Sequence, residues 1–256
     1  MGDAQARDVD HLIVDNRAVG EHILVHRKLI GSLSLACLVT TVIWLVLLIA
    51  GQASAGSLAT FDQVLDYVGE QSGVFFATYA NAALVTVVAI GLFAGLYVHL
   101  RSASPVWSAA AIVFVPVYGA MNLCVYLSQI TIVPRVLDLY ETVQHREASE
   151  LLLRQLIQVW PDSAVFVVNN VGYAVLAVPS IIFGTLLFRS SMTLERVAGV
   201  LLALSGVASV AGLIGIASRA GWLSHGSLVG GVLFLLALVP VTWSFLSEPK
   251  REPAGR

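Results

Sequence analysis

Apolar residues run in long unbroken blocks along this chain, and polar residues gather between them. A helix through a hydrocarbon core of about 30 Å needs about 20 apolar residues. Six blocks meet that length: Leu29–Ala50, Val74–Leu100, Val106–Val133, Ala164–Phe188, Val197–Ala217 and Leu228–Leu246. None contains Asp, Glu, Lys or Arg. The pattern predicts an all-α fold, a polytopic membrane bundle of six transmembrane helices over 29–246. An N-terminal segment, 1–28, precedes it and a short polar tail, 247–256, follows, predicted to be disordered. Pro116, Pro179 and Pro240 fall inside blocks three, four and six, and each frees a backbone carbonyl.

Two connections carry helical patterns of their own. Over Phe61–Ser72, Phe61, Val64, Leu65 and Val68 recur at three- and four-residue spacing, and Asp62, Asp66 and Glu70 make an acidic stripe. Pro134–Asp162 sets Leu151, Leu152, Leu153, Leu156, Ile157 and Trp160 among charges, then offers Pro161-Asp162 as a helix start. Both are predicted to lie on the membrane surface. Asp8–Lys28 is mixed in pattern and broken by Gly20, so it is expected to lie along the opposite surface before turning into the first span.

Composition agrees. Charged residues are 12% and hydrophobic residues 57%, against about 25% charged in soluble domains, and mean hydropathy is +0.84. A net charge of −2 gives no sign of a nucleic-acid partner. The partner implied throughout is the lipid bilayer. Cys37 and Cys124 both sit in apolar blocks and read as buried thiols. Basic residues are nearly all arginine, and Ala, Val and Leu abound, which suggests a GC-rich bacterial genome.

An even number of spans puts both termini on one side. That side holds Arg7, Arg17, Arg27, Lys28, Arg101, Arg189, Arg196, Lys250, Arg251 and Arg256, against Arg135, Arg146, Arg154 and Arg219 on the other. The excess of basic residues places both termini in the cytoplasm of a multi-pass cell-membrane protein. Ala53-Ser54-Ala55 looks like a cleavage site, but the 22-residue block before it is longer than a signal-peptide core.

Polar side chains inside the blocks are the best guide to chemistry, because lipid makes them costly. In block three Tyr118, Asn122, Tyr126 and Gln129 fall within an arc of about 80°, and in block four Asn169, Tyr173, Ser180 and Gly184 within about 60°. Asn170 is adjacent, and block two adds Thr78 and Asn81. By helical rise most lie in the outer half of the bilayer. Interhelical hydrogen bonding is one reading. The other is an outward-facing polar cavity, whose ligand residues are Asn81, Asn122, Tyr126, Gln129, Asn169, Asn170 and Tyr173. Amides without a balancing charge suit a neutral or weakly polar ligand.

The remaining features are weaker. Gly91-x-x-x-Gly95, Gly226-x-x-x-Gly230 and the face Ser205, Ala208, Gly212, Gly215 are small-residue packing surfaces, within one chain or between chains. His11, Asp15, His22 and His26 share an arc of about 60° and read as an exposed polar stripe rather than a metal site. No catalytic, cofactor or metal motif occurs, and no block carries the ionisable residue expected of a proton- or sodium-coupled pump. Asn81…Arg101-Ser102 and Asn169…Arg189-Ser190 recur at an offset of 88, too few positions to define a repeat.

Leu96-Tyr97-Val98-His99-Leu100-Arg101 and Val125-Tyr126-Leu127-Ser128-Gln129 resemble fragments of the uncharacterised six-span integral membrane proteins of bacteria. The resemblance covers a small part of the chain and implies only the six-span layout. The sequence thus leads to a non-enzymatic membrane protein whose outward polar cavity binds or passes a small molecule or lipid headgroup. One alternative is an accessory or structural subunit, packing on a membrane partner or a second copy. Another is a membrane enzyme with a cytoplasmic-side histidine site.

Overall fold

The computed structural model describes residues 3–56 and 58–247, and for 3–24 and 55 the backbone alone. The described chain is all helix: α1 (Asp3–Ala55), α2 (Phe61–Glu70), α3 (Ser72–Leu100), α4 (Pro105–Ile112), α5 (Phe114–Thr131), α6 (Val133–Tyr140), α7 (Arg146–Leu156), α8 (Ala164–Phe188), α9 (Thr193–Ser218), α10 (Gly221–Ser224) and α11 (Gly226–Leu246). Six helical stretches are long and apolar enough to cross a membrane: Val25–Ser54, Ser72–Leu100, Pro105–Tyr140, Ala164–Phe188, Thr193–Ser218 and Gly221–Leu246. The protein is an all-α, multi-pass membrane bundle.

Prolines divide the third span. Pro116 has no N–H for the Ile112 carbonyl, and α4 ends at Ile112. Pro134 does the same to Ile130, and α5 gives way to α6 at Ile132. Pro179 and Pro240 stay inside unbroken helices. Gly20 does not interrupt α1, contrary to expectation. A glycine costs a helix only about 1 kcal/mol against alanine, and α1 continues for about 80 Å at 1.5 Å per residue.

Successive spans pack side by side, and α11 returns to α1, so the six close into a ring. Aromatic rings fill its middle: Phe93 of α3 lies 6.0 Å from Phe183 of α8 and 6.3 Å from Phe234 of α11. The glycine faces are spent inside the chain. A Cβ on Gly184 would stand 2.6 Å from the Gly199 carbonyl oxygen, so α8 and α9 meet backbone to backbone. Gly226 and Gly230 seat α11 against Gly212 and Ser209 of α9, while Gly91 and Gly95 admit Leu33 and Ile30 of α1. The first span is the most peripheral, with 11% of its window buried against 33% to 44% in the others.

At one end of the bundle α2, α6 and α7 form a cap. The α2 start is a capping box, in which Gln63 N–H donates to the Thr60 hydroxyl and Thr60 N–H to Gln63 Oε1. Its apolar stripe, Phe61, Val64, Leu65 and Val68, is buried and Asp62, Asp66 and Glu70 are exposed, as the spacing predicts. Val133, Val136, Leu153 and Ile157 complete a second core over Phe75, Tyr79, Val125 and Tyr126. Trp160 packs edge-on against Phe61 at 5.4 Å, and the α8 cap is Ser163, whose hydroxyl accepts from Phe166 N–H, rather than Asp162. The opposite end carries Arg27, Lys28, Arg101, Arg189 and Arg196 and is called the basic end below.

Candidate functional site

The α5 stripe predicted from spacing is buried as one face: Tyr118, Asn122, Tyr126 and Gln129 are 0% to 4% exposed. It faces α8. The Tyr126 and Tyr173 hydroxyls are 2.7 Å apart and share a hydrogen bond. Asn122 Nδ2 points to the Tyr126 hydroxyl at 3.5 Å, a long contact, and its Oδ1 rests against Gly172, where a side chain would collide with it. Tyr118 stacks obliquely on Tyr173 at 6.3 Å and Tyr79 of α3 on Tyr126 at 6.1 Å. Three phenols and the Asn122 amide thus lie beneath the cap, and Tyr118 continues the group down into the bundle core.

Gln129 leaves this group and serves the cap. Its Nε2 donates to the Leu156 carbonyl at 2.8 Å, and its Oε1 accepts from Gln158 N–H at 3.0 Å. The Gln158 side chain accepts from the Tyr79 hydroxyl at 2.6 Å. Ile157, between them, is extended, so α7 ends there and its backbone groups need outside partners.

The other predicted residues divide. Asn169 lies 7% exposed on the α8 face that holds Gly172 and Tyr173, and its Oδ1 has no hydrogen-bond partner. Asn122 Oδ1 has none either. Asn170 turns away and donates to its own helix at the Phe166 carbonyl. Asn81 Oδ1 is also unpartnered, but Asn81 sits about 200° around α3 from Tyr79 and off the face that meets Tyr126. Asn122 and Gln129 are both 0% exposed. A cleft of ≈ 330 Å³ opens above Gln129, between Val68, Phe75 and Phe76 on one side and Pro134 and Leu137 on the other. On α2, burial raises the Tyr67 phenol above its ordinary pKa.

A second polar group, at the basic end, is one the sequence did not reveal. Glu195 precedes the apolar block Val197–Ala217 by two residues. The helix begins at Thr193, and Glu195 is 4% exposed. The Ser190 hydroxyl donates to its Oε2 at 2.5 Å, and the Ser244 hydroxyl to its Oε1 at 3.2 Å. Arg27 Nη1 lies 3.7 Å from Oε1, while Arg27 Nη2 donates to the Ser244 carbonyl at 2.7 Å. Phe245 lies between the Arg27 guanidinium and the His99 ring, each 5.0 Å from its centre. Arg27 and Glu195 stand just outside the charge-free blocks Leu29–Ala50 and Val197–Ala217, in the same continuous helices. A glutamate three residues into a helix reads as solvated, and only the packing of α1, α9 and α11 reveals its partner.

Cys37 is buried, but Cys124 is exposed on the outer face of α5, against the expectation of two buried thiols. Among the described residues no three His, Cys, Asp or Glu side chains group to hold a metal ion. His26 is exposed, and the side chains of His11, Asp15 and His22 lie outside the described residues, as do tail residues 248–256. Comparison with protein-family models, curated proteins and solved structures finds no match for this chain.

Proposed function

We propose that this chain is a non-enzymatic protein of a bacterial cell membrane, with both termini in the cytoplasm and the cap outside. Its polar group beneath the cap binds or passes a small neutral molecule or lipid headgroup. The orientation is supported by the ten-to-four division of basic residues about the bundle. The site is supported above all by two buried amide oxygens, Asn122 Oδ1 and Asn169 Oδ1, that lack partners on facing helices. A buried acceptor left unpaired costs about 1–3 kcal/mol, and a ligand with donor groups relieves that cost. Tyr126 and Tyr173 flank these oxygens, Asn170 and Asn81 lie on other faces of their helices, and Gln129 holds the cap shut over the group. The ligand reaches the site when the cap opens.

A second reading has its own observation. The zero exposure of Asn122 and Gln129 favours a dry bundle in which the polar groups join helices, as in a structural or accessory subunit. A thermal-unfolding cycle on Asn122→Leu and Asn169→Leu in detergent separates the two. A ligand site predicts small, additive effects, because neither amide supports the other. Coupling of 0.5 kcal/mol or more, the lower end of about 0.5–3 for contacting residues, favours the subunit.

A further inference from the structure

We propose that Arg27 and Glu195 form a releasable clasp that closes the basic end, and that its release lets α1 move away from α9 and α11. The clasp joins helices that do not otherwise pack face to face. α1 rests on α3 and α11, α9 on α8 and α11, and Arg27 reaches past Ser244 and Phe245 to Glu195. α1 is also the span with the least burial, so its outer face is free of other helices.

The geometry is that of a lock, not of a fully bonded core. A charge-assisted N–H···O bond is about 2.7–2.9 Å, and the 3.7 Å approach of Nη1 to Oε1 exceeds it. Arg27 Nε is buried and has no partner. Glu195, in contrast, is held by two serines and stays in place without the arginine. A buried network that is partly satisfied is the costly kind, and a rearrangement that hydrates the guanidinium lies close in free energy. Arg27 sits at the membrane boundary with exposed His26 and Lys28 beside it, so a small outward movement brings it to water.

Spin-label distances in nanodiscs test this on the full chain, with Cys37 and Cys124 replaced by alanine. Labels at Leu29→Cys and Val197→Cys, both on exposed positions, report the basic end. Labels at Gln52→Cys and Ser218→Cys report the capped end. The clasp predicts one short distance at the basic end in the unaltered pair. Glu195→Gln, or Arg27→Gln if the first is not recovered folded, adds a second, longer distance there and leaves the capped-end distance unchanged. The apolar pair Arg27→Met with Glu195→Leu keeps the single short distance, because it packs without a charge to release. A single unchanged distance in Glu195→Gln or Arg27→Gln would overturn the proposal. So would equal broadening at both ends, which marks general loosening.

Discussion

The Gln129 side chain replaces a missing turn of backbone for Gln158: it accepts from the Gln158 N–H at 3.0 Å while donating to the Leu156 carbonyl at 2.8 Å. One residue of α5 therefore ties the cap to the spans. Replacing Gln129 with Leu strands two backbone groups, at about 1–3 kcal/mol each. The thermal midpoint in detergent is expected to fall accordingly. Thr131→Val, which removes an exposed hydroxyl bonded only within its own helix, is expected to leave it within about 0.5 kcal/mol.

Asn122 and Gly172 fit as knob and hole, and the hole exists because Gly172 has no side chain. Gly172→Ala is expected to cost about 1–3 kcal/mol through overpacking. Asn122→Ala in the same chain is expected to recover part of that cost. Unfolding midpoints of the four proteins in the cycle check this, and independent effects would show that the two do not touch.

The α8–α9 contact leaves no space for a side chain. A Cβ on Gly199 would lie 2.5 Å from the Gly184 carbonyl oxygen and from the Phe188 nitrogen. Backbone cannot move aside as a flexible side chain can. Gly199→Val is therefore expected to abolish the monodisperse peak in size-exclusion chromatography, and Gly231→Ala, in open space, to preserve it.

Orientation has a direct test. In a chain lacking Cys37 and Cys124, a cysteine at exposed Asp66 is expected to react with an impermeant maleimide in intact cells. One at exposed Arg101 is expected to react only after permeabilisation. The opposite pattern would invert the topology.

The spans were legible because lipid demands long apolar helices, and the blocks stand out without any packing detail. The α2 cap was legible for a similar reason: Phe61, Val64, Leu65 and Val68 repeat at helical spacing. The α5 face was legible from Asn122, Tyr126 and Gln129, but their partners were not. Spacing says which side chains share a face and nothing of the residue opposite, so Gly172 beneath Asn122 and Leu156 beside Gln129 needed three dimensions. Asn81 shows the same limit, since equal depth did not put it on the same interface. Arg27 and Glu195 were hidden because charges at span ends usually meet water, and here α11 covers them.

If the level of Asn122, Asn169 and Tyr173 opens to a ligand from the capped side, a thiol placed there is reachable from outside. With Cys37 and Cys124 removed, Asn169→Cys or Tyr173→Cys is exposed to an impermeant methanethiosulfonate reagent in intact cells. Slow modification from outside is expected, and faster modification when Gln129→Leu frees the cap. Complete protection of both cysteines, unchanged by Gln129→Leu, would contradict it and leave a dry structural bundle.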